Sequence, residues 1–134
     1  MVEKWERWVP IDGLVRKYDL DEVIDNKDGF TITLFDASDI TQKLRIHFED
    51  FVEAYHVANE TLRYRVVVDL YEQYGRKFYG DWTFFTVTNS SYIKWLSEQS
   101  CTISDGMELI HYSILASNYV LDIAAISKPT VYKI

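Results

Sequence analysis

The strongest constraint on what this chain can fold into lies in residues 109–126. Two apolar runs, 109–115 and 120–126, flank Ser117-Asn118, a pair suited to a tight turn. Closing the chain there sets Ile110, Tyr112 and Ile114 against Ala125, Ile123 and Leu121 on one face. The other face places Leu109, His111, Ser113 and Leu115 against Val120, Asp122, Ala124 and Ile126, with Ser113 opposite Asp122 and His111 diagonal to it. A period of two on both sides of a turn makes an antiparallel hairpin, and a hairpin of this apolarity needs further strands beside it.

The rest of the chain supplies them. Alternation of Phe30, Ile32 and Leu34, then of Leu44, Ile46 and Phe48, predicts two strands bounded by Asp28-Gly29 and by residues 36–39. Residues 51–57 read as a third strand. A tight link at Glu49-Asp50 would set Phe48 opposite Phe51, Ile46 opposite Glu53 and Leu44 opposite Tyr55. Residues 5–9 suggest a short edge strand ended by Pro10, residues 82–87 a buried strand, and residues 131–134 a last edge strand after Pro129. Residues 11–25 have mixed spacing and read as a loop with a turn of helix.

Two helices are expected. Leu62, Val66, Leu70 and Tyr74 recur every four positions, with Asn59 placed to cap and Gly75 placed to terminate. The same residues also alternate like a strand, so helix is chosen on its caps. Asn89-Ser90-Ser91 precede Tyr92, Ile93, Trp95 and Leu96, a second capped helix ending near Gln99. The expected fold is therefore α+β, one antiparallel sheet of about six strands with two helices on one side. No linker or repeat divides residues 1–134, which read as a single domain.

The function classes this composition excludes follow from charge and motif. Net charge is −7, and the first 59 residues hold 13 acidic and 7 basic side chains. With no basic stripe, nucleic acid is not an expected partner. No apolar run is long enough for a bilayer, and no signal-peptide pattern opens the chain, so a cytoplasmic protein without membrane contact is expected. A lone cysteine, Cys101, excludes an internal disulfide and reads as a partly buried thiol. His47, His56 and His111 lack metal-ligand spacing, although His47 and His56 are expected on adjoining strands. Asp19, Asp21, Glu22, Asp25 and Asp28 fail the calcium-loop pattern. Neither a metal nor a cofactor is expected.

Residues 82–96, WTFFTVTNSSYIKWL, with Glu98-Gln99-Ser100 and Leu109-Ile110-His111-Tyr112, resemble small single-domain proteins of Bacillus-type bacteria. Some of these sit beside polymorphic toxins as presumed immunity proteins. The resemblance covers about residues 40–130 and carries no catalytic motif. It implies a non-catalytic protein that neutralises a toxin by direct binding. The acidic set Asp19, Asp21, Glu22, Asp25 and Asp28 is then the expected docking surface for a basic partner. A small-molecule binder or minor hydrolase using His111, Ser113 and Asp122 is the alternative. A homo-oligomer burying Leu109, Leu115, Val120 and Ile126 is a third. The 10 Tyr, 7 Phe and 4 Trp fit either a ring-filled core or an aromatic groove around Trp5, Trp8, Tyr79 and Trp82.

Overall fold

In the computed structural model, which describes residues 2–134, the strands divide between two sheets rather than one. A five-stranded sheet has the order β1-β6-β7-β8-β5, from β1 (Lys4–Arg7), β6 (Phe84–Thr88), β7 (Ile110–Leu115), β8 (Tyr119–Ala125) and β5 (Ala54–Asn59). A four-stranded sheet has the order β2-β3-β4-β9, from β2 (Tyr18–Asn26), β3 (Gly29–Asp36), β4 (Asp39–Phe48) and β9 (Thr130–Lys133). Every neighbouring pair is antiparallel. Among the described residues three α-helices, α1 (Tyr64–Tyr74), α2 (Arg76–Gly80) and α3 (Ser91–Gln99), and two short 3-10 helices, Glu60–Arg63 and Ile103–Gly106, complete the fold.

The division follows from where apolar residues fall. Phe30, Ile32, Leu34, Leu44, Ile46 and Phe48 form one face of the four-stranded sheet. They share a core with Phe84, Tyr112, Ile114, Leu121 and Ile123 of the five-stranded sheet. The opposite face of the five-stranded sheet holds Trp5, Phe85, Val87, Leu115 and Val120 beneath Leu70, Val66, Tyr74 and Phe78 of α1 and α2. The hairpin β7–β8 is apolar on both faces because it is the middle layer of three. Its register is the one expected, including Ser113 opposite Asp122.

Other expectations change. Residues 18–26, read as loop, are the edge strand β2. The strand expected at residues 51–57 begins at Ala54 and pairs with β8, so the Phe48–Phe51 register does not exist. His47 and His56 therefore stand in different sheets. Leu115 and Val120 lie under the helices and are not free to form an oligomer face, although Ile126 is exposed. Cys101 is exposed rather than partly buried. Of the four rings proposed for a groove, Trp5 packs with Phe85 while Trp8 and Trp82 pack with Phe84, all as parts of the cores.

A strap of residues 16–20 ties the sheets together at one end. Lys17 Nζ donates to the carbonyls of Trp82 and Leu115, both at 2.8 Å. The Tyr18 N–H donates to Thr83 Oγ1, and Asn118 of the β7–β8 turn bonds both backbone groups of Leu20. Leu20 adjoins a bulge that accommodates Asp21. Burial of its ammonium pushes the Lys17 pKa down to about 8.

Candidate functional site

The sequence places Ser90 at a strand-to-helix junction, and the structure builds a site from it. β6 ends at Thr88, Asn89 takes a left-handed conformation at φ 52°, and Ser90 caps α3 by accepting the Ile93 N–H at 3.1 Å. Glu3 accepts the Ser91 N–H at 2.7 Å, so an acidic side chain also faces the positive end of that helix. The Ser90 hydroxyl lies 2.7 Å from His111 Nδ1, and His111 Nε2 lies 2.6 Å from Asp122 Oδ1. Asp122 Oδ2 in turn accepts from Arg63 Nη1 at 2.5 Å. Because Ser90 Oγ already accepts the Ile93 N–H, its own proton is free for Nδ1. That arrangement leaves the ring proton on Nε2, facing the carboxylate.

Four side chains from four elements thus form one polar chain running from the core to the surface. His111 and Asp122 are each 3% exposed at the side chain, whereas Arg63 is 25% exposed. Trp5 and Tyr92 hold the His111 ring by edge contacts, with centroids 6.4 and 5.3 Å away. Burial pushes the Asp122 pKa up, but the hydrogen bond from His111 and the charge and hydrogen bond of Arg63 outweigh it. The carboxyl therefore titrates below its ordinary value. Burial, reinforced by the Asp122 charge, raises the Tyr92 hydroxyl to about 12.

Above the chain opens a hollow of about 660 Å³ between β5, α1 and α3. Tyr55, Val66, Trp95 and Leu96 wall it, and Arg63, His111 and Asp122 form its floor. Among the described residues Arg63 donates only through Nη1, to Asp122 and within 3.5 Å of His56 Nδ1. Its Nε and Nη2 protons are left for an incoming group. The volume falls within the range of small-molecule sites, and most of the lining surface is apolar.

The chain matches no family model, no characterised protein and no solved structure. The chemistry of the site therefore rests on its own geometry.

Of the residues singled out from the sequence, His111 and Asp122 meet in the site but Ser113 does not. Ser113 is fully buried, its hydroxyl has no hydrogen-bond partner among the described residues, and Ser90 takes the position beside the histidine. Serine, histidine and aspartate in line resemble a nucleophile relay. Ser90, however, is 5% exposed and is not a wall of the hollow, and its oxygen caps a helix. Arg63 neutralises the acid as well. Both features disfavour Ser90 as a nucleophile. Sequence reasoning missed Ser90 as a partner of His111, and also Arg63, Tyr92 and Trp95. The Asn-Ser-Ser cap was the only local signal for any of them.

The acidic set lies elsewhere. Asp19, Asp21, Glu22 and Asp25 are on the edge strand β2, and Asp28 is in the turn that follows. Asp21 pairs with Lys43 at 3.0 Å, while Asp28 approaches Lys27 at 3.7 Å. Among the described residues no group of three His, Cys, Asp or Glu side chains is placed to hold a metal ion. Among the described residues no helix is long and apolar enough to cross a membrane.

Proposed function

We propose that the protein is a binding protein without covalent chemistry. Its ligand is a flat apolar molecule carrying an anionic head, bound in the hollow over Arg63. The observation that supports this most is the partly exposed Arg63 guanidinium. It is fixed from behind by Asp122, and among the described residues its Nε and Nη2 protons have no protein acceptor. A guanidinium held in this way receives a carboxylate or phosphate with little ordering cost. Tyr55, Trp95 and Leu96 would cover the apolar body.

Calorimetric titration with 2-naphthoate tests the reading. One-to-one binding is expected, weakened by about tenfold in Trp95→Ala, a loss near 1.4 kcal/mol. The neutral analogue 2-methylnaphthalene should bind more weakly than the acid to the wild type. Equal affinity for acid and hydrocarbon, or an unchanged affinity in Trp95→Ala, would remove the proposal.

A second reading, neutralisation of a basic toxin, draws support from the exposed positions of Asp21, Glu22, Asp25 and Asp28 at the free edge of the four-stranded sheet. Acids on an edge strand also keep it from pairing with other chains. If these acids dock a basic protein, Glu22→Lys with Asp25→Lys should slow association and flatten its salt dependence. A toxin complex insensitive to that double change would leave the acids only their edge-protecting role.

A further inference from the structure

The hollow that holds Arg63 also holds an acid. Glu3, half-buried just before β1, lines it together with Trp5, Ser91, Tyr92 and Trp95. Its place is fixed from three elements. The carboxylate accepts the Ser91 N–H at 2.7 Å and the Trp5 indole N–H at 3.4 Å. The Glu3 backbone carbonyl accepts from Gln73 of α1 at 3.1 Å. None of these donors carries a formal charge.

The other acids of the lining are matched, Asp122 by Arg63 and Asp69 by Arg65. Among the described residues Glu3 is therefore the one carboxylate of the hollow without a cationic partner. The N-terminus of α3 supplies only about half a positive charge, so the place keeps a net negative one. Aromatic rings gather at the same place. Tyr92 follows the serine that holds Glu3, Trp95 stacks on Tyr92 with centroids 6.3 Å apart, and Trp5 donates to the acid itself. A carboxylate beside such rings attracts an organic cation, because the acid supplies charge and the rings replace water around an ammonium.

The separation of the two charged places limits what can touch both. Arg63 is anchored on Asp122 of β8, and β8 lies three strands from β1, about 14 Å across the sheet. The neighbouring ammonium and carboxylate of an α-amino acid are too close together to reach both. A rigid aromatic body with one charge at each end can do so.

We infer that the ligand of the hollow is a zwitterion of this kind, with its anionic head on Arg63 and an ammonium on Glu3. The inference rests on the reading of the hollow as a site for a flat anion and adds the chemistry of the ligand's second end.

Calorimetry with matched probes of two lengths tests it. The parents, 2-naphthoate and biphenyl-4-carboxylate, carry the anion alone. The amines, 6-(aminomethyl)-2-naphthoate and 4′-(aminomethyl)biphenyl-4-carboxylate, add an ammonium at the far end. At neutral pH at least one amine should bind about tenfold more tightly than its parent, and the gain should shrink as salt rises. Glu3→Gln keeps an oxygen for the Ser91 N–H, and in that variant amine and parent should bind alike. Amines no tighter than their parents in the wild type would overturn the inference and leave the anion reading standing. A gain that persists in Glu3→Gln would do the same. Failure of parents and amines alike would remove both.

Discussion

Asp122→Ala is expected to cost about 3–5 kcal/mol of folding stability in urea denaturation, the largest loss of any polar substitution in this chain. The carboxylate accepts from His111 at 2.6 Å and from Arg63 at 2.5 Å, and its side chain is 3% exposed. Removing it leaves the buried His111 imidazole without its acceptor and the Arg63 guanidinium without its anchor. Asp122→Asn keeps an oxygen for one of the two donors and should lose less. The acid limb carries a second signature. The folded-state pKa lies below the ordinary value of 3.8, so this stabilisation is complete above that value and is lost as pH falls through the lower one. Asp122→Asn should therefore show a shallower loss of stability on acidification than the wild type.

Stability should rise by about 2 kcal/mol between roughly pH 7 and 9.5, and this rise should vanish in Lys17→Met. The Lys17 ammonium titrates at about 8 in the folded protein against 10.5 ordinarily. Between those values the unfolded chain binds the extra proton, so raising the pH favours the folded state. Neutral Lys17 still has protons for both carbonyls it bonds, those of Trp82 and Leu115. Above about pH 10 the trend reverses, because burial raises the hydroxyls of Tyr18, Tyr92 and Tyr112, and their unfolded forms ionise first. A stability maximum near pH 9.5 in the wild type, and a flat profile up to that pH in Lys17→Met, are the expected results of urea titrations at fixed salt. A wild-type profile flat over this range would contradict the burial assigned to the ammonium.

Local signals in the sequence carry through to the structure where neighbours along the chain decide the outcome. Ser117-Asn118 sets the β7–β8 register, and Asn59 caps the turn leading into α1 through the Thr61 N–H. The Gly75 N–H closes the end of α1 on the Tyr71 carbonyl, with φ 86° that a side chain would resist, and Ser90 caps α3. What the sequence hides is non-local. β2 reads as loop because Asp19, Asp21, Glu22 and Asp25 sit on an edge strand, where acids are tolerated. Residues 54–59 carry no mark of which sheet they join, since pairing with β8 rather than β4 is decided by the packing of two sheets. The site is hidden for the same reason. Its members come from residues 63, 90, 111 and 122, and only the last two share a hairpin. Ser113 looked like their partner by register, but a neighbouring strand and a helix cap delivered Ser90 instead.

The hollow over Arg63 is the centre of this account, and a ¹⁵N-edited NMR titration with 2-naphthoate tests it most directly. The four indole N–H signals report from separate places. Trp95 walls the hollow and Trp5 borders it, whereas Trp82 donates its indole N–H to the Trp8 carbonyl within the cores. Saturable shifts at Trp95 and at the Arg63 Nε–H, with Trp8 and Trp82 unmoved, are the predicted result. Shifts confined to Trp8 or Trp82, or an Arg63 signal that ignores the acid, would contradict it.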